Sequence, residues 1–109
     1  MEDSLEKKQR VNLLMDCYEE LLTDKQQQYL SLYYQEDLSL SEIAEELNVS
    51  LNAVFDNLKR AVHSLENYED KLHLLAKHQQ RLDLIERIEN VQQQNNEELD
   101  DYLEMLRRI

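Results

Sequence analysis

The chain has 109 residues, carries 24 acidic against 12 basic side chains for a formal charge of −12, and contains neither Gly nor Pro. That length suits one compact domain with at most an appended helix, and the missing turn formers argue against sheets, so the fold class is predicted to be all-α. The same composition excludes a glycine-rich phosphate loop, and no apolar run approaches the roughly 20 residues of a membrane span.

Taken in chain order, the pattern predicts five helices. The first spans roughly 4–22, where Val11, Leu14, Met15, Tyr18, Leu21 and Leu22 recur at helical spacing. Thr23 opens the second as an N-cap, with Gln26 three residues on at the reciprocal position of a capping box and Tyr29, Leu30, Leu32 and Tyr33 as its apolar side. Residues 35–37 form a connector. Ser39 and Glu42 repeat the capping box for the third helix, and Ser50 is placed to cap the fourth, with Asn48 at the turn between them. Ile43, Ala44 and Leu47 before that turn, then Val49, Val54, Leu58 and Ala61 after it, make one continuous apolar face. Residues 38–61 therefore read as a helix-turn-helix, a motif whose second helix offers its first side chains to the DNA major groove.

The fourth helix is expected to run on. From Val54 the apolar positions Leu58, Ala61, Leu65, Tyr68, Leu72 and Leu75 alternate steps of four and three, which is a heptad seam. The seam falters at Gln79 and resumes with Leu82, Ile85 and Ile88, and with neither Gly nor Pro present one unbroken rod to about residue 90 is predicted. Such a rod outgrows a four-helix domain, so its outer stripe needs a partner. Two are available and compatible. One is the last helix, with Leu99, Tyr102, Leu103, Leu106 and Ile109, folding back across the Gln- and Asn-rich link 92–96; the other is the same stripe on a second copy. The expected organisation is a four-helix domain at 1–66, a packing region at 67–109, and a homodimer held by Tyr68, Leu72, Leu75, Leu82, Ile85 and Ile88.

The Thr23-Asp24-Lys25-Gln26 opening, the segment YLSLYY at 29–34 and SLSEIAEELNVS at 39–50 resemble region 4 of bacterial sigma factors. Over most of its length the chain looks more like the YlxM family of helix-turn-helix proteins of Gram-positive bacteria, through YYQEDLSLSEIAEELNVSLNAVFDNLKRA at 33–61 and LENYEDKLHLL at 65–75. That resemblance implies genes lying beside those of the signal recognition particle GTPase and its receptor, and a regulatory part in that pathway. One position departs from the pattern. Sigma-like motifs carry Arg where this chain has Leu51, which removes a cation able to reach a base or phosphate with two hydrogen bonds.

Enzymatic chemistry finds no constellation here. His73 and His78 are five residues apart and do not share a helix face, His63 lies ten residues before His73, and Glu45-Glu46, Glu97-Glu98 and Asp100-Asp101 are sequence neighbours that point apart on helices. A single Cys17 forms no internal disulfide and no cysteine-based metal site, and reads as a small packed side chain. No enzyme, metal, cofactor, small-molecule substrate or membrane is expected, and the polar opening MEDSLEKKQR, without a signal-peptide core, points to the cytoplasm.

Two functions from different classes remain. In one, Ser50, Leu51, Asn52, Phe55, Asp56, Lys59 and Arg60 at the start of the fourth helix read DNA as a dimer on paired half-sites, as a transcriptional regulator. In the other, the acidic surface docks a basic partner and the motif serves as scaffold; under the family resemblance the partner is the signal recognition particle, its protein in preference to its RNA. Charge weighs toward the adaptor. Residues 38–66 hold two cations, Lys59 and Arg60, against Glu42, Glu45, Glu46, Asp56 and Glu66, whereas duplex binding draws its baseline affinity from cations that neutralise phosphates.

Overall fold

Hydroxyl side chains close the first turn of each of the first four helices. In the computed structural model, which describes residues 4–91 and 96–109, Ser4 Oγ accepts from the Lys7 N–H at 3.1 Å to start α1 (Leu5–Tyr18). Thr23 starts α2 (Asp24–Leu30) through a full capping box: its Oγ1 accepts from the Gln26 N–H, and the Gln26 side chain accepts from the Thr23 N–H, both at 3.1 Å. Ser39 and Glu42 build the same reciprocal pair at 3.1 and 3.0 Å for α3 (Leu40–Leu47). Ser50 Oγ accepts from the Ala53 N–H at 3.1 Å where α4 (Leu51–Leu72) begins. Every one of these caps satisfies an amide that an isolated helix end leaves unpaired. Two further helices follow, α5 (Leu74–Asn90) and α6 (Asn96–Arg107), and no strand occurs among the described residues.

A chain without glycine still needs left-handed residues to stop its helices, and it uses Asp37, Asn48 and His73, at φ 58°, 54° and 55°. Asn, Asp and His are the non-glycine residues most tolerant of that region. Asn48 ends α3 in a Schellman motif: the Val49 N–H donates to Ala44 O at 3.0 Å and the Asn48 N–H to Glu45 O at 3.3 Å. Asp37 closes α2 after a π turn over Ser31–Gln35, in which the Glu36 N–H reaches back to Ser31 O at 2.9 Å and the Leu38 N–H to Leu32 O at 3.0 Å.

His73 overturns the expected unbroken rod. α4 stops at Leu72, His73 turns left-handed, and its carbonyl accepts from the Lys77 N–H at 2.9 Å as α5 begins. The chain divides there into two compact units, Met1–Leu72 and His73–Ile109, whereas the heptad seam runs across the junction without a visible break. Neither Gly nor Pro marks the junction, and the break rests on one left-handed histidine. Leu21 also departs from expectation: α1 gives way to a 3-10 turn at Glu19–Leu21, and the changed turn leaves Leu21 54% exposed.

In the first unit the predicted faces meet as one core. Val11, Leu14, Met15 and Tyr18 of α1 and Tyr29 and Leu30 of α2 are buried, as are Leu32, Tyr33 and Tyr34 of the π turn. Ile43 of α3 and Val54, Leu58, Ala61 and Leu65 of α4 complete it. Burying each of the larger aliphatic side chains removes its apolar surface from water and contributes about 1.5–3 kcal/mol. Polar links tie α4 to α1 and to the turn that follows it: Arg10 forks onto Glu66 through Nε and Nη2 at 2.7 and 2.8 Å, and Tyr68 donates its hydroxyl to Leu21 O in the 3-10 turn at 3.2 Å.

The second unit is a helical hairpin. α5 packs on α6, which agrees with the expected folding back of the last helix; the link itself lies, through residue 95, outside the described residues. Leu84 is buried, and with Asp83 and Arg87 it lines an open groove of about 330 Å3 whose other wall is Met105 and Ile109 of α6.

Candidate recognition surface

The buried residues of α4 fix which side of that helix faces outward. Val54, Leu58, Ala61 and Leu65 recur at steps of four, three and four and lie wholly inside, so Asn52, Asp56, Lys59 and His63, on the opposite arc of a 3.6-residue turn, are all exposed. Leu51 is 50% and Phe55 38% exposed on one flank of that stripe, and Arg60 is exposed on the other. The structure therefore brings the predicted set of Asn52, Phe55, Asp56, Lys59 and Arg60 together on one accessible side of the helix, with Leu51 at its start. Ser50 is also exposed, but its hydroxyl oxygen is engaged in capping.

Two shallow depressions border the stripe, and Lys59 lines both. One, of about 280 Å3, is walled by Phe55, Lys59 and Val62 of α4 and by Lys7 of α1. The other, of about 610 Å3, is walled by Asp56, Lys59, Arg60, His63 and Ser64 with Gln26 of α2. Lys7, Gln26, Val62, His63 and Ser64 join this surface beyond the residues that the sequence assigns to it. A helical projection of α4 places Val62, His63 and Ser64 beside the chosen residues, so their signal was present. Lys7 and Gln26 enter only because α1 and α2 pack against α4.

Charge around this surface is mixed, with acid prevailing on α3. Glu42, Glu45 and Glu46 are exposed, and Glu42 is held below the ordinary carboxylate range by the hydrogen bonds it exchanges with the Ser39 backbone and hydroxyl. Cys17 is half-buried, and burial first, then the nearby negative charges of Glu69 and Asp16, push its thiol up, which disfavours a reactive thiolate. Among the described residues no group of three or more His, Cys, Asp or Glu is placed to hold a metal ion, and no helix is long and apolar enough to cross a membrane.

Of the residues assigned to self-association, Tyr68 already bonds Leu21 and lies 6.0 Å from the Tyr18 ring, and Leu75 is buried. Leu72, Leu82 and Ile85 are exposed at 44%, 53% and 40%, while Ile88 is half-buried.

Comparison with known proteins follows the same lines. A family model described as "Putative helix-turn-helix protein, YlxM / p13 like" matches residues 5–105. The UPF0122 protein lin1916 of Listeria innocua serovar 6a is 50% identical over 107 residues, covering 95% of this chain and 97% of the relative. UPF0122 proteins of Bacillus thuringiensis strain Al Hakam and Bacillus mycoides strain KBAB4 are each 48% identical over 108 residues, covering 96% of this chain and 98% of the relative.

Proposed function

The chain belongs to the YlxM/p13-like family of helix-turn-helix proteins, and from that membership we propose a non-enzymatic regulatory adaptor that docks a basic protein surface through the outward side of α4. The observation that carries this reading is the exposure of Leu51 and Phe55 at the start of α4, with Asp56 exposed on the same helix, together with that of Glu42, Glu45 and Glu46 on α3, which packs against α4. Exposed apolar anchors on a motif whose residues 38–66 hold five acidic and two basic side chains suit a basic protein partner. Burying Leu51 and Phe55 supplies affinity, and the carboxylates steer a cationic surface toward them and speed association at low salt. A duplex presents phosphates to a motif in which acid outnumbers base, and gains little baseline affinity from it.

The adaptor acts in the cytoplasm, and the gene-neighbourhood resemblance of the family selects the signal recognition particle as the partner to test. Its protein component, being basic, is favoured over its RNA by charge. The test is a titration of the intact chain against the purified particle, its isolated GTPase and random duplex DNA at matched salt. Binding to particle and GTPase is expected, weakened at least tenfold by Leu51→Glu. Binding to duplex alone overturns the reading.

One observation favours the second reading, a DNA-binding transcriptional regulator. Lys7, Lys59, Arg60 and His63 gather in the two depressions beside the outward stripe, where duplex phosphates run when such a helix enters a groove. In the same titration that function appears as duplex affinity falling steeply with salt.

A further inference from the structure

The hairpin unit carries one more surface, and its pattern names an occupant. α5 has two apolar lines. Leu84 is buried on the line that also borders the open groove shared with α6. The second line lies roughly 130° around the helix by its 3.6-residue repeat, and its Leu82 and Ile85 stand 53% and 40% exposed. His78 precedes Leu82 by four residues and Glu89 follows Ile85 by four, so residues 78, 82, 85 and 89 share this face at spacings of four, three and four.

We propose that a second copy of this chain covers this face, with the two α5 helices antiparallel about a two-fold axis between residues 83 and 84. The spacing is a palindrome, which is what an antiparallel pair of identical helices requires. Each Leu82 then meets Ile85 of the second copy, and each His78 meets Glu89 of the second copy, so an imidazole that donates a hydrogen bond or carries positive charge faces a carboxylate at both ends of the apolar centre. A parallel pair sets Glu89 against Glu89 and His78 against His78, and like charges at facing positions oppose it. His78 and Glu89 are both exposed. This interface does not involve α4, so it stands or falls separately from the adaptor reading.

Sedimentation equilibrium of the intact chain over a wide concentration range tests it, with helicity followed by circular dichroism. A monomer–dimer equilibrium is expected, and Leu82→Glu with Ile85→Glu should weaken it at least tenfold without loss of helix, because both side chains are exposed. His78→Glu alone should weaken association by setting acid against acid, and Glu89→Lys should act alike by setting Lys against His. The double variant His78→Glu/Glu89→Lys should restore it, since an antiparallel pair then matches Glu with Lys. A chain that stays monomeric throughout overturns the proposal, as does a dimer indifferent to Leu82 and Ile85, or a double variant no better than the singles.

Discussion

Tyr18 on α1 donates its hydroxyl to Glu69 Oε1 on α4 at 2.5 Å, joining two buried side chains 51 residues apart in the chain. The bond explains how a carboxylate only 7% exposed is accommodated beside an apolar core, because burying an ionisable group is costly unless it is hydrogen-bonded. It also sets the register of the two helices at the end of α1, where the Tyr68 ring packs beside Tyr18. Tyr18→Phe keeps the ring and deletes the donor. A loss of about 1.5–3 kcal/mol is expected, as for hydrogen bonds to charged groups, read as a lower urea midpoint at unchanged slope; an unchanged midpoint would show the bond to be idle.

At the other end of the same helix pair, the fork between Arg10 and Glu66 should matter much less. Its side chains are 49% and 39% exposed, and pairs so open to water contribute below about 1 kcal/mol. Arg10→Met is expected to cost that little, and less again in high salt. The Arg10 hydrogen bonds hold Glu66 below its ordinary value. A depressed carboxylate binds its proton more weakly folded than unfolded, so the contribution is complete above about pH 4.3 and is lost as pH falls through the folded value. Stability measured from pH 7 down to pH 3 should fall less steeply in Arg10→Met than in the parent chain.

His73→Gly discriminates a broken helix from a continuous one. A non-glycine residue at φ 55° bears roughly 1–2 kcal/mol of steric cost, which glycine relieves while losing about 0.5–1 kcal/mol to its freer unfolded chain. The substitution should therefore raise thermal stability slightly. In an unbroken helix it would lower stability, since glycine is among the poorest helix formers.

Leu58 and Leu51 sit seven residues apart on α4 and should part company in every assay. Leu58 is wholly buried, and Leu58→Ala should cost about 2–5 kcal/mol through lost burial and the cavity left behind. Leu51 is half exposed, and Leu51→Ala should change stability by no more than about 0.5 kcal/mol while reducing affinity for a protein partner. A Leu51 variant that unfolds the chain would instead make that side chain part of the fold.

Much of this molecule is written in short-range patterns. Thr23 with Gln26, Ser39 with Glu42, and Ser50 each decide a helix start within one turn, and the apolar spacing from Val11 to Leu65 decides which faces are buried, because caps and amphipathic periodicity act between residues three or four apart. Membership of the family is legible in the same words. Tertiary structure alone decided the rest. His73 is left-handed although nothing in the heptad pattern around it signals a stop, for histidine tolerates that region without requiring it and the surrounding packing decides. Glu69 is buried against its hydropathy, because Tyr18 supplies the carboxylate with a donor, while Leu72 stands exposed where α4 ends. Lys7 and Gln26 reach the recognition surface only through the packing of α1 and α2 on α4, a long-range arrangement that periodicity does not encode.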